Sequence, residues 1–139
     1  MNNIRLPPGV EFHEEFQLLI WRPRGSLNNI AVSKIISVLG ELETTLKAPF
    51  DRFADTVAAD AVDLNFEYII RVSLYRRAFY GNRPPVKSAI FATDPAAIHY
   101  ASLHAVVTQG SPIKVRVFQD RQKAAQWLGV PIVLLAGES

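Results

Sequence analysis

The sequence predicts an α/β fold: one domain, with a mixed, mostly parallel β-sheet covered by helices. Three observations predict it. Segments of period-2 apolar pattern alternate with segments of helical period four times after an initial hairpin. The helical segments open on Ser, Asn or Asp and stop at Pro49, Gly81, Gly110 or Gly129. A chain of 139 residues with 49% hydrophobic and 20% charged residues has the usual make-up of a single globular domain with a real core. Strands separated by helical connections are forced to run parallel, with right-handed crossovers.

In chain order, "LPPG" is a loose start, and "VEFHEEFQLLIWRPRG" carries the β-branched and aromatic residues of two short strands joined near Glu14 and Glu15. Gly25 breaks this hairpin. "SLNNIAVSKIISVLGELETTLKAP" then turns helical, with Ile30, Ile35, Val38, Leu39, Leu42 and Leu46 as its apolar stripe and Ser26, Asn28 and Asn29 as candidate caps. A strand is expected from about Phe50 to Val57. The next helix starts near Asp63 or Asn65, places Phe66, Ile69, Ile70, Ser73 and Leu74 on one face, and runs to Ala78. "GNRPP" is a turn, "VKSAIFAT" a strand, and Asp94 followed by Pro95 a strong helix start, a cap with proline at the first helical position.

The last unit has the clearest change of period. Ile113, Val115 and Val117 alternate with Lys114, Arg116 and Phe118; then Asp120 offers a cap, and Ala124, Ala125, Trp127 and Leu128 share a helical face. Gly129 and Pro131 end that helix, because glycine accepts a left-handed exit and proline cannot continue the ladder. An apolar tail, "IVLLAGES", follows. The folded domain is expected over residues 10–130, with 1–9 and 131–139 as terminal extensions.

Composition excludes several kinds of chemistry. With no cysteine there is no disulfide, thiolate catalysis or cysteine-ligated metal, and a reducing cytoplasm suits the chain. No apolar run approaches the roughly 18 residues of a membrane span, and the N-terminal stretch has no apolar leader segment. A net charge of +2 is too small to argue for nucleic acid. Neither a Gly-rich phosphate loop nor a nucleophile elbow is present.

The order β-β-α-β-α-β-α-β-α, closed by "VRVFQDRQKAAQWLG", resembles the STAS domain, in particular its SpoIIAA-like (STAS/SEC14-like) bacterial branch. The terminal signature is carried by Val117, Phe118, Asp120, Arg121, Ala124, Trp127 and Leu128. The resemblance implies a first strand antiparallel to the others, and a role in binding partners rather than in catalysis. It also implies a phosphorylated serine in the turn before the second helix, in those relatives that antagonise anti-sigma factors. The matching stretch, "AADAVDLNFEY", has neither serine nor glycine, and Asp63 or Leu64 stands where the acceptor would be. The phosphorylation switch is therefore not carried over.

In an open α/β sheet, ligands bind beyond the carboxyl ends of the strands, where helix N-termini converge. Ser26, Asn28, Asp60, Asp63, Asn65, Thr93, Asp94 and Asp120 fall at that edge and form the candidate site for a protein partner or small ligand; helix capping is the competing account of all of them. The expected function is a non-enzymatic interaction or regulatory module that needs no cofactor, with a homodimer as one way of covering the apolar tail. The alternative is a small-molecule or lipid carrier, or an enzyme, whose pocket would use His99, His104 or Asp63. The five-residue spacing of His99 and His104 puts them on different helical faces and argues against a metal grip. His13 beside Glu14 and Glu15 makes a poor dyad, since strand neighbours project oppositely. Arg71, Arg76, Arg77 and Arg83, interleaved with Tyr75, Phe79 and Tyr80, read as a solvated cationic helix end favoured by the helix dipole, the alternative being contact with an anionic surface such as RNA or lipid headgroups.

Overall fold

The computed structural model describes residues 5–136. Its main sheet contains β1 (Val10–His13), β2 (Leu18–Trp21), β4 (Asp51–Asp55), β6 (Val86–Phe91) and β7 (Ile113–Phe118), side by side in that order. β1 runs antiparallel to β2 and every other pairing is parallel. The crossovers are α1 (Asn29–Thr45), α2 (Phe66–Phe79) and α3 (Pro95–Val107). Each crossover steps to the next strand in the same direction, so connections of one hand place all three helices on one face. α4 (Arg121–Leu128) follows the last strand and folds, with the short α5 (Ile132–Leu135), onto the other face.

Strand alternation divides the residues between these faces. Leu18, Ile20, Phe53, Ala89, Phe91 and Phe118 meet α4 and α5 in a dense core, in which the Phe53 and Phe91 rings stack 6.4 Å apart. Ala89, Ala124 and Ala125 keep the layers close, since a methyl group is all that stands between backbones there. The apolar tail completes this core: Leu135 is fully buried, so the packing continues beyond residue 130, while Ile132 and Val133 stay exposed. Trp127 is half-buried, lies 5.6 Å from Phe118, and its carbonyl accepts a 2.8 Å hydrogen bond from Lys87 Nζ. Asp55 ties three elements on the same side, with Arg121 Nη2 at 2.9 Å and Arg22 Nε at 3.6 Å.

Helix starts follow the predicted caps. Asn28 accepts from Ala31 N, Asn65 from Tyr68 N, Asp94 from Ala96 and Ala97 N, and Asp120 from Gln122 N. Gly129 leaves α4 at φ 75°, as its C-terminal position requires.

Three expectations need correction. Residues 25–28 and 59–63 are not loops: they form β3 (Gly25–Asn28) and β5 (Ala59–Asp63), a separate two-stranded parallel sheet. The strand expected from Phe50 to Val57 ends at Asp55, because Asp55 Oδ1 takes the Val57 N–H and Thr56 turns to Phe91 O. The buried face of α2 is Ile69, Ser73 and Arg76, whereas Phe66 and Leu74 are exposed; Ile30, counted in the α1 stripe, is exposed too. Ile30 and Phe66 lie in first turns, beyond the sheet their helices cover, and Leu74, one residue after Ser73, is turned about 100° away from the buried stripe.

Phe53 is fully buried in the central strand. Phe53→Ala is expected to cost about 3–5 kcal/mol in urea unfolding, and Trp127→Ala on the order of half of that, since part of the ring already faces water.

Candidate functional site

α1 and α2 leave the carboxyl edge of the sheet side by side and are joined at both ends. Near their starts, Tyr68 of α2 donates to Asn29 O at 3.1 Å and shares a hydrogen bond with Ser33 Oγ of α1. Near their ends, Glu43 of α1 meets Arg76 of α2 and Tyr80 just beyond it. Between these two ties the helices do not close on each other. Val32, Ile36 and Leu39 of α1 face Ile69 and Val72 of α2 across a cavity of about 150 Å³ that has the sheet as its floor and α3 as its far wall.

The cavity has two unlike ends. At the carboxyl edge its lining is mostly apolar, from Leu27 of β3 and Leu64 just after β5, with Thr56 beyond the end of β4. Toward the amino ends of the strands it is polar, from Arg52, Arg76, Ser88 and His104. α2, α3 and β4 carry this gradient, while α1 and β2 are apolar throughout. α2 reads Ile69, Val72, Arg76 along its length, α3 reads Ala97, Tyr100, Ala101, His104, and β4 reads Ala54 then Arg52 in the opposite direction.

Glu43 is the hub of the polar end. Its Oε2 accepts from Arg52 Nη1 at 2.9 Å, from Arg76 Nη2 at 2.6 Å and from the Tyr80 hydroxyl. All three ionic side chains are nearly sealed, at 4% exposure for Glu43, 6% for Arg52 and 3% for Arg76. Burial alone would raise the Glu43 carboxyl, but the Arg76 and Arg52 charges and the bonds from Tyr80 and Arg76 outweigh it and hold the pKa below the ordinary value. Tyr80 is pushed up to about 12, first by burial and then by its bond to Glu43, against the opposing pull of Arg52. The hub therefore holds two guanidinium ions, one carboxylate and a neutral phenol.

His104 borders this hub. Ser73 Oγ donates its single hydrogen to Ile69 O at 2.7 Å, so its 2.7 Å contact with His104 Nδ1 requires the proton on the ring nitrogen. His104 is thus the Nδ1–H tautomer, with Nε2 a free acceptor. Burial, helped by the nearby Arg76 charge, pushes its pKa down to about 4.

The residues singled out from the sequence lie at the carboxyl edge. Asn28, Asn65, Asp94 and Asp120 each cap a helix, while Ser26, Asp60, Asp63 and Thr93 are exposed. Pairing of β3 with β5 brings Ser26 opposite Ala61 and Asn28 opposite Asp63. Thr93, Asp94 and Asp120 end the neighbouring strands β6 and β7. Of the histidines, His99 is exposed and only His104 reaches the cavity, and His13 bonds to Glu11, two residues away on the same side of its strand, rather than to Glu14 or Glu15. Arg76 is the main surprise. Its place in the sequence puts it with a solvated helix end, yet it lies on the Ile69 and Ser73 face and is buried; that i, i+4, i+7 spacing is the signal by which it could be found.

The His104 geometry has a pH signature. Its folded pKa lies below the ordinary 6.5, so the unfolded chain binds the extra proton in between; the contribution is complete above about pH 6.5 and is lost as pH falls toward about 4. At about 1.4 kcal/mol per unit, its upper limit is about 3 kcal/mol. Urea unfolding at pH 7 and pH 4.5 is expected to show a larger acid loss for the natural chain than for His104→Gln; equal losses would refute the assignment.

No family model and no curated protein matches the chain. It is similar to a solved structure, that of an uncharacterised protein of the DUF3478 family with a SpoIIAA-like fold, from Shewanella loihica PV-4. The two share 15% identity over 86% of this chain and 90% of the other, with a TM-score of 0.52. Among the described residues no helix is long and apolar enough to cross a membrane, and no group of three or more His, Asp or Glu could hold a metal ion. The antiparallel first strand, the four parallel strands and this likeness together make the fold SpoIIAA-like.

Proposed function

We propose that this protein is a non-enzymatic, STAS-like module of a reducing, cytoplasmic setting that holds a small, largely apolar molecule between α1, α2 and the sheet. The observation that carries this reading is the cavity itself. Two helices tied at both ends stay apart along an apolar stretch, leaving about 150 Å³ between them. Helices free to move would collapse over such a void, because lining atoms without neighbours lose their dispersion contacts. A ligand of about six to eight non-hydrogen atoms matches a space of this size.

The protonation states favour binding over catalysis. A general acid or base works best with a pKa near the operating pH. Here Glu43 is held low, Tyr80 is raised to about 12 and His104 is lowered to about 4, so none of the three exchanges a proton near neutrality. The exposed Ser26, Asp60, Asp63 and Thr93 supply a polar edge beside Leu27 and Leu64, where a protein partner or a second copy would sense whether the cavity is filled.

Titration with hexan-1-ol, followed by backbone amide shifts, is expected to saturate and to concentrate its shifts in residues 32–39 and 69–76. Val72→Phe should weaken that binding at least about tenfold while leaving stability unchanged or raised by about 1 kcal/mol, as for a filled cavity. Shifts that lie only at the surface, away from these residues, would overturn the proposal.

A further inference from the structure

The balance of charge at the polar end identifies the class of ligand. Arg52 and Arg76 face one carboxylate, Glu43, and no other acidic side chain is in ion-pair contact with either among the described residues. The buried cluster therefore carries one uncompensated positive charge, and Tyr80, as a neutral phenol, offsets none of it. Bonding is incomplete as well: Arg52 Nε and Arg76 Nη1 are buried without an acceptor, as Glu43 Oε1 is without a donor, and both arginines line the cavity. Buried cations are ordinarily paired and their donors satisfied, so this arrangement lacks one anion. A second arginine cluster shows the contrast. Arg22 and Arg121 share Asp55, but Arg22 also reaches Glu11, at 3.5 Å, and Arg121 is 32% exposed to water. Arg22 Nε and Arg121 Nε are likewise buried without a hydrogen-bond acceptor, so the two clusters differ in net charge and in access to water: the second is balanced in charge without a ligand.

We propose that the ligand is a monocarboxylate: a short apolar chain or ring lying between α1 and α2, with its carboxylate received by the Arg52 and Arg76 guanidinium groups. The inference rests on the cavity being a ligand site. A single negative charge completes the cluster, whereas a phosphate dianion would overcompensate it. Guanidinium also suits a planar carboxylate, which it can grip through two parallel N–H donors. The apolar remainder then points toward Leu27 and Leu64, along the existing gradient of the lining.

Hexanoate and hexan-1-ol, which share a chain and differ in the head, separate this inference from the reading beneath it. Calorimetry at pH 7, with amide shifts at residues 52 and 76 to locate binding, is expected to show hexanoate about ten- to a hundredfold tighter than the alcohol. Arg76→Gln leaves one arginine for one carboxylate, so the buried charge is neutral and the hexanoate-to-hexanol ratio should fall to about one. Arg76→Lys keeps the charge and should keep most of the preference. If the alcohol binds in the cavity as well as hexanoate does in the natural chain, the carboxylate assignment is wrong and the cavity reading stands. Binding of neither molecule would overturn both. The comparison in the natural chain decides the matter even where a variant does not fold.

Discussion

One carboxylate oxygen, Glu43 Oε2, sets the geometry of the helical face. It gathers donors from three separate elements: Arg52 on β4, Arg76 on α2, and Tyr80 in the connection toward β6. Burying such a cluster carries a large desolvation cost, and attraction between the partners does little more than offset it. Its structural effect is better described as specification. The hydrogen bonds hold the far ends of α1 and α2 at a set separation, as the Tyr68 bond to Asn29 does at the near ends. Side chains between the two ties must accept whatever gap results.

The two faces of the sheet are packed differently for this reason. On the α4 side the buried carboxylate, Asp55, sits at the carboxyl end of β4, and Ala89, Ala124 and Ala125 let helix and sheet approach closely. On the α1 and α2 side, Arg52 stands at the position corresponding to Ser88 on the next strand, and guanidinium planes lie over the rings of Phe50, Tyr80 and Phe79. These bulky, directional contacts keep the polar end propped open. The β3–β5 sheet then extends the wall of the cavity at its other end, with Leu27 turned inward beside the exposed Ser26 and the capping Asn28.

The parts legible in the sequence are those decided by neighbours along the chain. Caps at Asn28, Asn65, Asp94 and Asp120, the exit at Gly129 and the alternation in β7 each depend on a few consecutive residues, and each appears in the structure. Pairing of β3 with β5 depends on residues more than thirty positions apart, in stretches whose Gly, Ser, Asn and Asp content reads locally as loop. The hub is less legible still. Residues 43, 52, 76 and 80 have no shared local pattern, and arginine near a helix C-terminus is ordinarily a surface residue. Polar residues mark the candidate edge in the sequence, whereas the cavity is bounded there by the apolar Leu27 and Leu64 between them.

β4 explains why the two arginine clusters differ. It is the middle strand of five, and its side chains alternate, so Arg52 faces the long helices while Asp55, three residues on, faces α4. Around Asp55 the positive charges come from outside the strand and keep contact with water or with Glu11, so solvent screens whatever imbalance remains. Around Arg52 the imbalance is enclosed by α1, α2 and the sheet, where screening is weak and the field persists across the cavity. That field adds to burial in keeping His104 neutral, and it would favour an anion over a neutral molecule of the same shape. In the ligand site proposed above, the apolar lining would set what size of molecule enters, and the buried charge would set which end goes in first.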